Sequence, residues 1–138
     1  DTLRLEAGMP LYGHELDESI DPYQAGLGFA CKLKDRQFIG SESLLRISQS
    51  QSVAKRVGLL LDGKRAARQG ALVLDADSRT VGTITSGSFS PTLDRPIAMA
   101  YVEPSVAELQ TTLDVDIRGS RVSATIVPLP FYKRLPSL

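Results

Sequence analysis

Leu113-Asp114-Val115-Asp116-Ile117-Arg118-Gly119-Ser120-Arg121-Val122-Ser123-Ala124-Thr125-Ile126 decides the fold of this chain. Leu113, Val115 and Ile117 are apolar at every second position, and Val122, Ala124 and Ile126 repeat the pattern. A period of two places each set on one face of a half-buried strand. Gly119-Ser120 between the two fits a two-residue hairpin turn. Further upstream, residues 57–61, 71–74 and 97–102 are apolar runs, and residues 80–85 alternate polar with apolar. Turn signals separate them: Asp62-Gly63, Gln69-Gly70, residues 75–77, Ser90-Pro91, Arg95-Pro96, Glu103-Pro104 and Arg118-Gly119. Six short strands at this spacing predict a closed or sandwiched antiparallel β domain that begins near Val53.

The first fifty residues have a different pattern. Residues 1–8 read as the tail of a helix, with Leu3 and Ala7 at i and i+4 and Gly8 as its C-terminal cap. Two turns are too short to stand alone, so the helix's beginning is expected upstream, as is also suggested by a start at Asp1 rather than Met. Asp21-Pro22 resembles a helix start with Pro at the first helical position. Residues 27–33 suit a short strand, with Phe29, Cys31 and Leu33 on one face and Cys31 a small buried hydrophobe. Residues 41–50 read as a helix with Ser41 as N-cap and Leu44, Leu45 and Ile47 on its apolar side. The uniformly polar Gln49-Ser50-Gln51-Ser52 is the best boundary.

Composition narrows the function. Sixteen Lys plus Arg balance sixteen Asp plus Glu, so the formal charge is zero. No cationic excess exists to attract nucleic acid or an anionic membrane. Hydrophobic residues at 42% and charged residues at 23% describe a folded chain. Cys31 is the sole cysteine and His14 the sole histidine, which excludes an intrachain disulfide and a four-cysteine zinc site and leaves no carboxylate spacing suited to a metal. No apolar run is long enough to span a bilayer and no secretion leader is visible. Ser86 has no base at a suitable place and no nucleophile-elbow pattern, so a serine hydrolase is rejected.

The sequence carries a more specific signal. Arg4-Leu5-Glu6-Ala7-Gly8-Met9-Pro10-Leu11-Tyr12-Gly13 resembles a signature of the glycine cleavage T-protein, the aminomethyltransferase family. Ala25-Gly26-Leu27-Gly28-Phe29, then Phe38-Ile39-Gly40 with Leu44, then Gly82 through Leu93 (Gly-Thr-Ile-Thr-Ser-Gly-Ser-Phe-Ser-Pro-Thr-Leu), then Pro130-Phe131-Tyr132-Lys133-Arg134 resemble further family blocks, in order. The resemblance implies the C-terminal part of a protein of about three domains. Its fold class is α+β: residues 1–50 finish a mixed α/β folate-binding middle domain, and residues 51–138 form a small antiparallel β-barrel domain.

In that family a lipoyl arm on a partner, the H-protein, delivers an aminomethyl group. Tetrahydrofolate takes the methylene, and ammonia leaves. The resemblance thus implies a cytoplasmic enzyme whose partners are lipoylated H-protein and tetrahydrofolate, with no metal. It puts the catalytic aspartate in the N-terminal part, so no catalytic residue is assigned here and the isolated chain is expected to be inert. Two alternatives stay open: the folate-binding tail of a dimethylglycine or sarcosine dehydrogenase-like enzyme, and a non-catalytic β-barrel binding module.

Four residues are candidate folate contacts by resemblance. The pterin edge offers an amino group and a ring N–H side by side, which one carboxylate accepts together; Glu6 is placed there. Read without the family, Glu6 is a solvated helix-surface Glu. Arg36 is placed near the folate's glutamate tail, with Lys34 competing for the assignment. Arg68, in an early turn of the barrel, would fix carboxylates or the cofactor, and with Lys64 and Arg65 forms a basic cluster with a weaker case for H-protein docking. Tyr132 would reach back to the cofactor. Arg4 reads better as a structural ion pair, Tyr12 as a packing residue and His14 as a surface residue.

Overall fold

The computed structural model describes residues 1–50 and 53–136. The strands are β1 (Lys55–Leu61), β2 (Leu72–Leu74), β3 (Thr80–Ser90), β4 (Arg95–Val102), β5 (Thr112–Ile117) and β6 (Ser120–Val127). They close into an antiparallel barrel in the order β1-β4-β3-β2-β5-β6, with β6 paired back onto β1. Closure removes the sheet edges that would otherwise expose unpaired backbone groups. All six strands fall where periodicity puts them.

Alternation fills the interior. Val57, Leu59 and Leu61 of β1, Leu113, Val115 and Ile117 of β5, and Ala124 and Ile126 of β6 share one core with Ala98, Ala100 and Val102 of β4. The other face of β4 is buried too. There Ile97 and Met99 form a second cluster with Leu5, overlaid by Leu60, Leu93, Leu129 and Phe131. A strand covered on both faces reads as a continuous apolar run, which is why residues 97–102 do not alternate.

The β5–β6 hairpin turns one residue earlier than expected. Ile117 pairs with Ser120, so the loop is Arg118-Gly119, with φ of 53° and 83°. Positive φ at both central residues is the type I′ geometry that matches strand twist. The Asp116 carboxylate accepts the Gly119 N–H at 2.7 Å and helps Arg118 hold its strained place. Strand β3 is longer than its alternation suggests. The alternation covers residues 80–85, but the ladder runs on to Ser90 through a bulge between Ile84 and Ser86. The extra residue, Thr85, re-aims everything after it. Ile84 pairs with inward Ala100, whereas Ser86 and Ser88 pair with outward Met99 and Ile97. Gly87 is required within this run, because a Cβ there would lie 2.1 Å from the Ala67 carbonyl oxygen where the β1–β2 loop crosses.

The N-terminal helix α1 (Thr2–Glu6) ends as expected at Gly8, whose φ is +66°. Gly8 N–H donates to the Leu5 carbonyl at 2.9 Å and Met9 N–H to that of Arg4 at 3.1 Å, the paired closure of a Schellman motif. At the expected helix start, Asp21 caps only a turn, accepting the N–H groups of Tyr23 and Gln24 at 2.8 Å. No helix follows, because the chain turns away at Gly26 with φ of +73°. The strand expected over residues 27–33 is absent. Gly28–Ala30 is a 3₁₀ turn that no strand among the described residues pairs with, Phe29 is 85% exposed and Cys31 only partly buried. Helix α2 (Ser41–Gln49) is capped by Gly40 rather than by Ser41, and none of its residues is buried. Of the expected boundary, residues 51 and 52 lie outside the described residues.

Candidate functional site: the seam between helix α1 and the barrel

Helix α1 lies along the outer face of β3 and β4, and the bulge in β3 decides what it meets. Leu5, fully buried, packs on Ile97 and Met99. Beside this apolar contact runs a polar line: Thr2 Oγ1 meets Ser88 Oγ at 3.2 Å, Arg4 donates to Ser86 Oγ at 3.3 Å, and Ser90 Oγ donates to Glu6 Oε1 at 2.5 Å. Thr92, in the turn after β3, donates to Glu6 Oε2 at 3.1 Å. Glu6 is therefore buried, 5% exposed, and its solvated-helix reading is wrong. Each carboxylate oxygen receives one hydroxyl and keeps acceptor capacity for a second donor.

Arg4 is structural, as expected, and central. Its guanidinium pairs with Asp1 at 2.8 Å, donates to the Met9 carbonyl at 2.7 Å, and reaches Glu15 at 3.4 Å. Glu15, next to the exposed His14, is completely buried. Its Oε2 accepts the Leu11 N–H at 2.9 Å and its Oε1 the Thr85 hydroxyl at 2.7 Å. Two barrel side chains complete the join. Tyr101 donates to the Glu15 carbonyl at 2.8 Å, and Arg56 donates to the carbonyls of Ala25 at 2.6 Å and Gly8 at 2.8 Å. Burial pushes the Tyr101 phenol up to about 12, against the opposing pull of the Arg56 charge. Burial likewise draws the Arg56 guanidinium below its ordinary value, while Tyr101 and Glu15 pull it back. His14 is exposed, as foreseen, with Nδ1 3.0 Å from the Thr85 carbonyl. Tyr12 does not pack; it is 70% exposed.

The four candidate contacts occupy three places. Tyr132 is adjacent to Glu6 along the backbone, its N–H donating to the Glu6 carbonyl at 3.0 Å, and the residue is 46% exposed. Arg68 is exposed in a cavity of about 590 Å³ at one end of the barrel, together with Arg65, Arg118, Ser88 and Phe89. Lys64 lies over the Phe89 ring, 5.3 Å from its centre, and pairs with Asp94 at 3.0 Å. Residues 87–89 thus line the Arg68 cavity, and the next residue, Ser90, holds Glu6. Arg36 stands apart, in a hollow with Ala30, Cys31, Lys32, Phe38 and Leu44 that Lys34 does not line. Among the described residues no cluster of His, Cys, Asp and Glu is placed to hold a metal, and no helix is long and apolar enough to cross a membrane.

Sequence reasoning missed Glu15, Ser90, Thr92, Arg56 and Tyr101. Ser90-Pro91 registered as a turn and as part of the block over residues 82–93, with no role given to the hydroxyl of Ser90 or of Thr92. The available signal was the density of hydroxyls over residues 83–92, more than a barrel strand needs for solubility.

Comparison with known proteins agrees with this architecture. Residues 55–133 match the family model described as the glycine cleavage T-protein C-terminal barrel domain. The chain is 53% identical over 137 residues to an aminomethyltransferase of Cutibacterium acnes and 51% identical over 135 residues to one of Saccharopolyspora erythraea. Each match covers 97% of this chain but only 36% and 37% of those proteins, so the chain spans little more than a third of their length. The crystal structure of glycine cleavage system aminomethyltransferase T from Bartonella henselae superimposes with a TM-score of 0.90 at 32% identity, over 96% of this chain and 37% of that one. A closed six-strand barrel, the family model over its whole span and near-complete matches to aminomethyltransferases place this chain in the glycine cleavage T-protein family, of which it carries the C-terminal barrel domain.

Proposed function

We propose that this chain is the C-terminal part of a tetrahydrofolate-dependent aminomethyltransferase of the glycine cleavage system. The reaction passes a methylene group from the aminomethyl-lipoyl arm of H-protein to tetrahydrofolate and releases ammonia. One observation carries the reading: about half of all residues are identical to an aminomethyltransferase over 97% of the chain, across the N-terminal segment as well as the barrel. In this reading residues 1–50 belong to the folate-binding middle domain and residues 51–138 to the barrel domain.

Glu6 is the residue proposed to hold the pterin. Its environment fits the task, since both oxygens are oriented by hydroxyls and both retain acceptor capacity. A carboxylate fixed in plane accepts the two parallel pterin donors together, and so sets the ring's position and its tilt. Arg36 offers a cation to the folate's carboxylate tail, Arg68 one at the barrel end, and Tyr132 an aromatic residue whose backbone is joined to that of Glu6. Catalysis then rests on orientation and placed charge, with the catalytic aspartate supplied by another part of the enzyme.

Calorimetry of the full-length enzyme with tetrahydrofolate tests this. Glu6→Gln puts a donor where an acceptor is needed, and affinity is expected to fall about tenfold to a hundredfold. Unchanged affinity would remove Glu6 from the site. Purified residues 1–138 are expected to transfer no methylene.

A further inference from the structure

The conformation of Glu6 is imposed from outside its own helix. Ser90 is fully buried, and its Oγ both accepts the Leu93 N–H at 3.1 Å and touches Glu6 Oε1 at 2.5 Å. A hydroxyl has a single proton. The Leu93 amide can only donate, so the Ser90 proton is committed to the carboxylate. Thr92 approaches the other oxygen, Oε2, at 3.1 Å. One donor on each oxygen, from two residues of one tight turn, fixes the rotation of the carboxylate about its final bond, a torsion that is otherwise broad. Pro91 lies between them and stiffens that turn. The bulge at Thr85 is what makes this possible, because without it Ser90 would face the barrel interior.

We propose that Ser90 and Thr92 are positioning residues for the folate site: they orient the Glu6 carboxylate so that its remaining acceptor capacity meets the pterin edge. This rests on the reading of Glu6 as the pterin acceptor. It gives the barrel domain a part in folate recognition, exerted on Glu6 through Ser90 and the β3–β4 turn.

The test is a double-mutant cycle in the full-length enzyme. Ser90→Ala, Thr92→Val and Thr92→Ser are made in the native enzyme and again with Glu6→Gln. Tetrahydrofolate affinity is read by calorimetry, kcat and KM by methylene transfer, and thermal stability alongside. Ser90→Ala is expected to weaken tetrahydrofolate binding about tenfold and Thr92→Val about threefold, with KM rising while kcat changes little. Thr92→Ser keeps the donor and restores native affinity. With Glu6→Gln already present, none of the three changes affinity further. Should Ser90→Ala not fold, the Thr92 pair, on an exposed turn residue, decides alone. Two results overturn the proposal: native affinity in Thr92→Val and Ser90→Ala when Glu6→Gln has lost it, or the same fold-loss persisting in the Glu6→Gln background. Native affinity in Glu6→Gln itself is a separate outcome, which overturns the folate reading of Glu6 and this proposal with it.

Discussion

The barrel and residues 27–50 are built from similar proportions of apolar residues and come to opposite ends. In the barrel, Leu59, Leu61, Val73, Val115 and their neighbours reach zero exposure. In residues 27–50 no residue is buried, and Phe29 is 85%, Phe38 43%, Ile39 103% and Leu45 49% exposed. The difference is one of partners. Each strand has two strand neighbours, and its inward face meets the inward faces of the others, so the closed sheet supplies its own cover. Helix α2 has an apolar side, but only Leu44 and Ile47 on it are partly covered and none of its residues is buried. The segment between these extremes, residues 1–26, is instructive. It lacks a core of its own but is held to the barrel by Leu5 and by polar contacts from Arg56, Thr85, Ser90 and Tyr101. Residues 1–26 are thus attached to the barrel by contacts that residues 27–50 do not share in kind.

The contrast breaks most severely if the barrel core is cut. Leu59→Ala removes a fully buried side chain from the interior, and urea unfolding should show a loss of about 2–5 kcal/mol. Hydrogen exchange on the same chain should find barrel amides exchanging only through global unfolding. The nine-residue α2 should exchange near the rate of a free peptide, because a helix that short is marginal without tertiary cover. Protection of α2 equal to that of β4 would abolish the contrast.

The polar join comes next in size. Glu15→Ala strands the Leu11 N–H and takes a buried acceptor from Arg4, at a cost of about 3 kcal/mol in urea unfolding. Glu15→Gln should cost less than half of that. Thr85 can turn its proton to the Met99 carbonyl, 3.0 Å away, and accept from the new amide, leaving the amide oxygen for Leu11 and Arg4. Equal losses in the two variants would show that charge, rather than hydrogen-bond matching, holds this corner.

Tyr101 gives the same join a pH signature. Its phenol ordinarily titrates at 10.0 and is pushed up to about 12 in the fold, first by burial. Between these values the unfolded chain loses the proton while the folded chain keeps it. Folding stability present below pH 10 is thus lost progressively as pH rises toward 12. Stability curves of the native chain and Tyr101→Phe should diverge in slope over that window, with the native chain falling faster. Parallel curves would mean that the Tyr101 hydroxyl leaves its partner before it ionises.

How much of this was legible follows from the range of the forces involved. Strand positions were readable because alternation is local: Leu113, Val115 and Ile117 declare their face without reference to anything else. The hairpin turn was misplaced by one residue because Arg118 adopts positive φ, a choice made by pairing on both sides and supported by Asp116. The strand over residues 27–33 failed for the complementary reason, since Phe29, Cys31 and Leu33 alternate properly but among the described residues no strand pairs with them. Glu6 could be singled out by resemblance, but the hydroxyls that hold it come from 84 and 86 positions away. Nothing in the local sequence says that a bulge at Thr85 turns three serines outward together.

The smallest expected effect tests the other side of the comparison. Ile39→Ala removes an apolar side chain that touches nothing, so in the 138-residue chain stability should move by no more than about 0.5 kcal/mol. The same substitution in the full-length enzyme gives a different reading. If the remaining polypeptide covers this face, Ile39 is a core residue there, and truncating it should cost about 2 kcal/mol or more. The difference between the two measurements is then the contribution of the cover, obtained at a single side chain. A null effect in both would leave the face uncovered in the whole enzyme, and the exposed apolar residues from Phe29 to Leu45 would need another partner. A loss of 2 kcal/mol in the short chain alone would instead show that residues 27–50 fold back on themselves, and the contrast with the barrel would have to be drawn elsewhere.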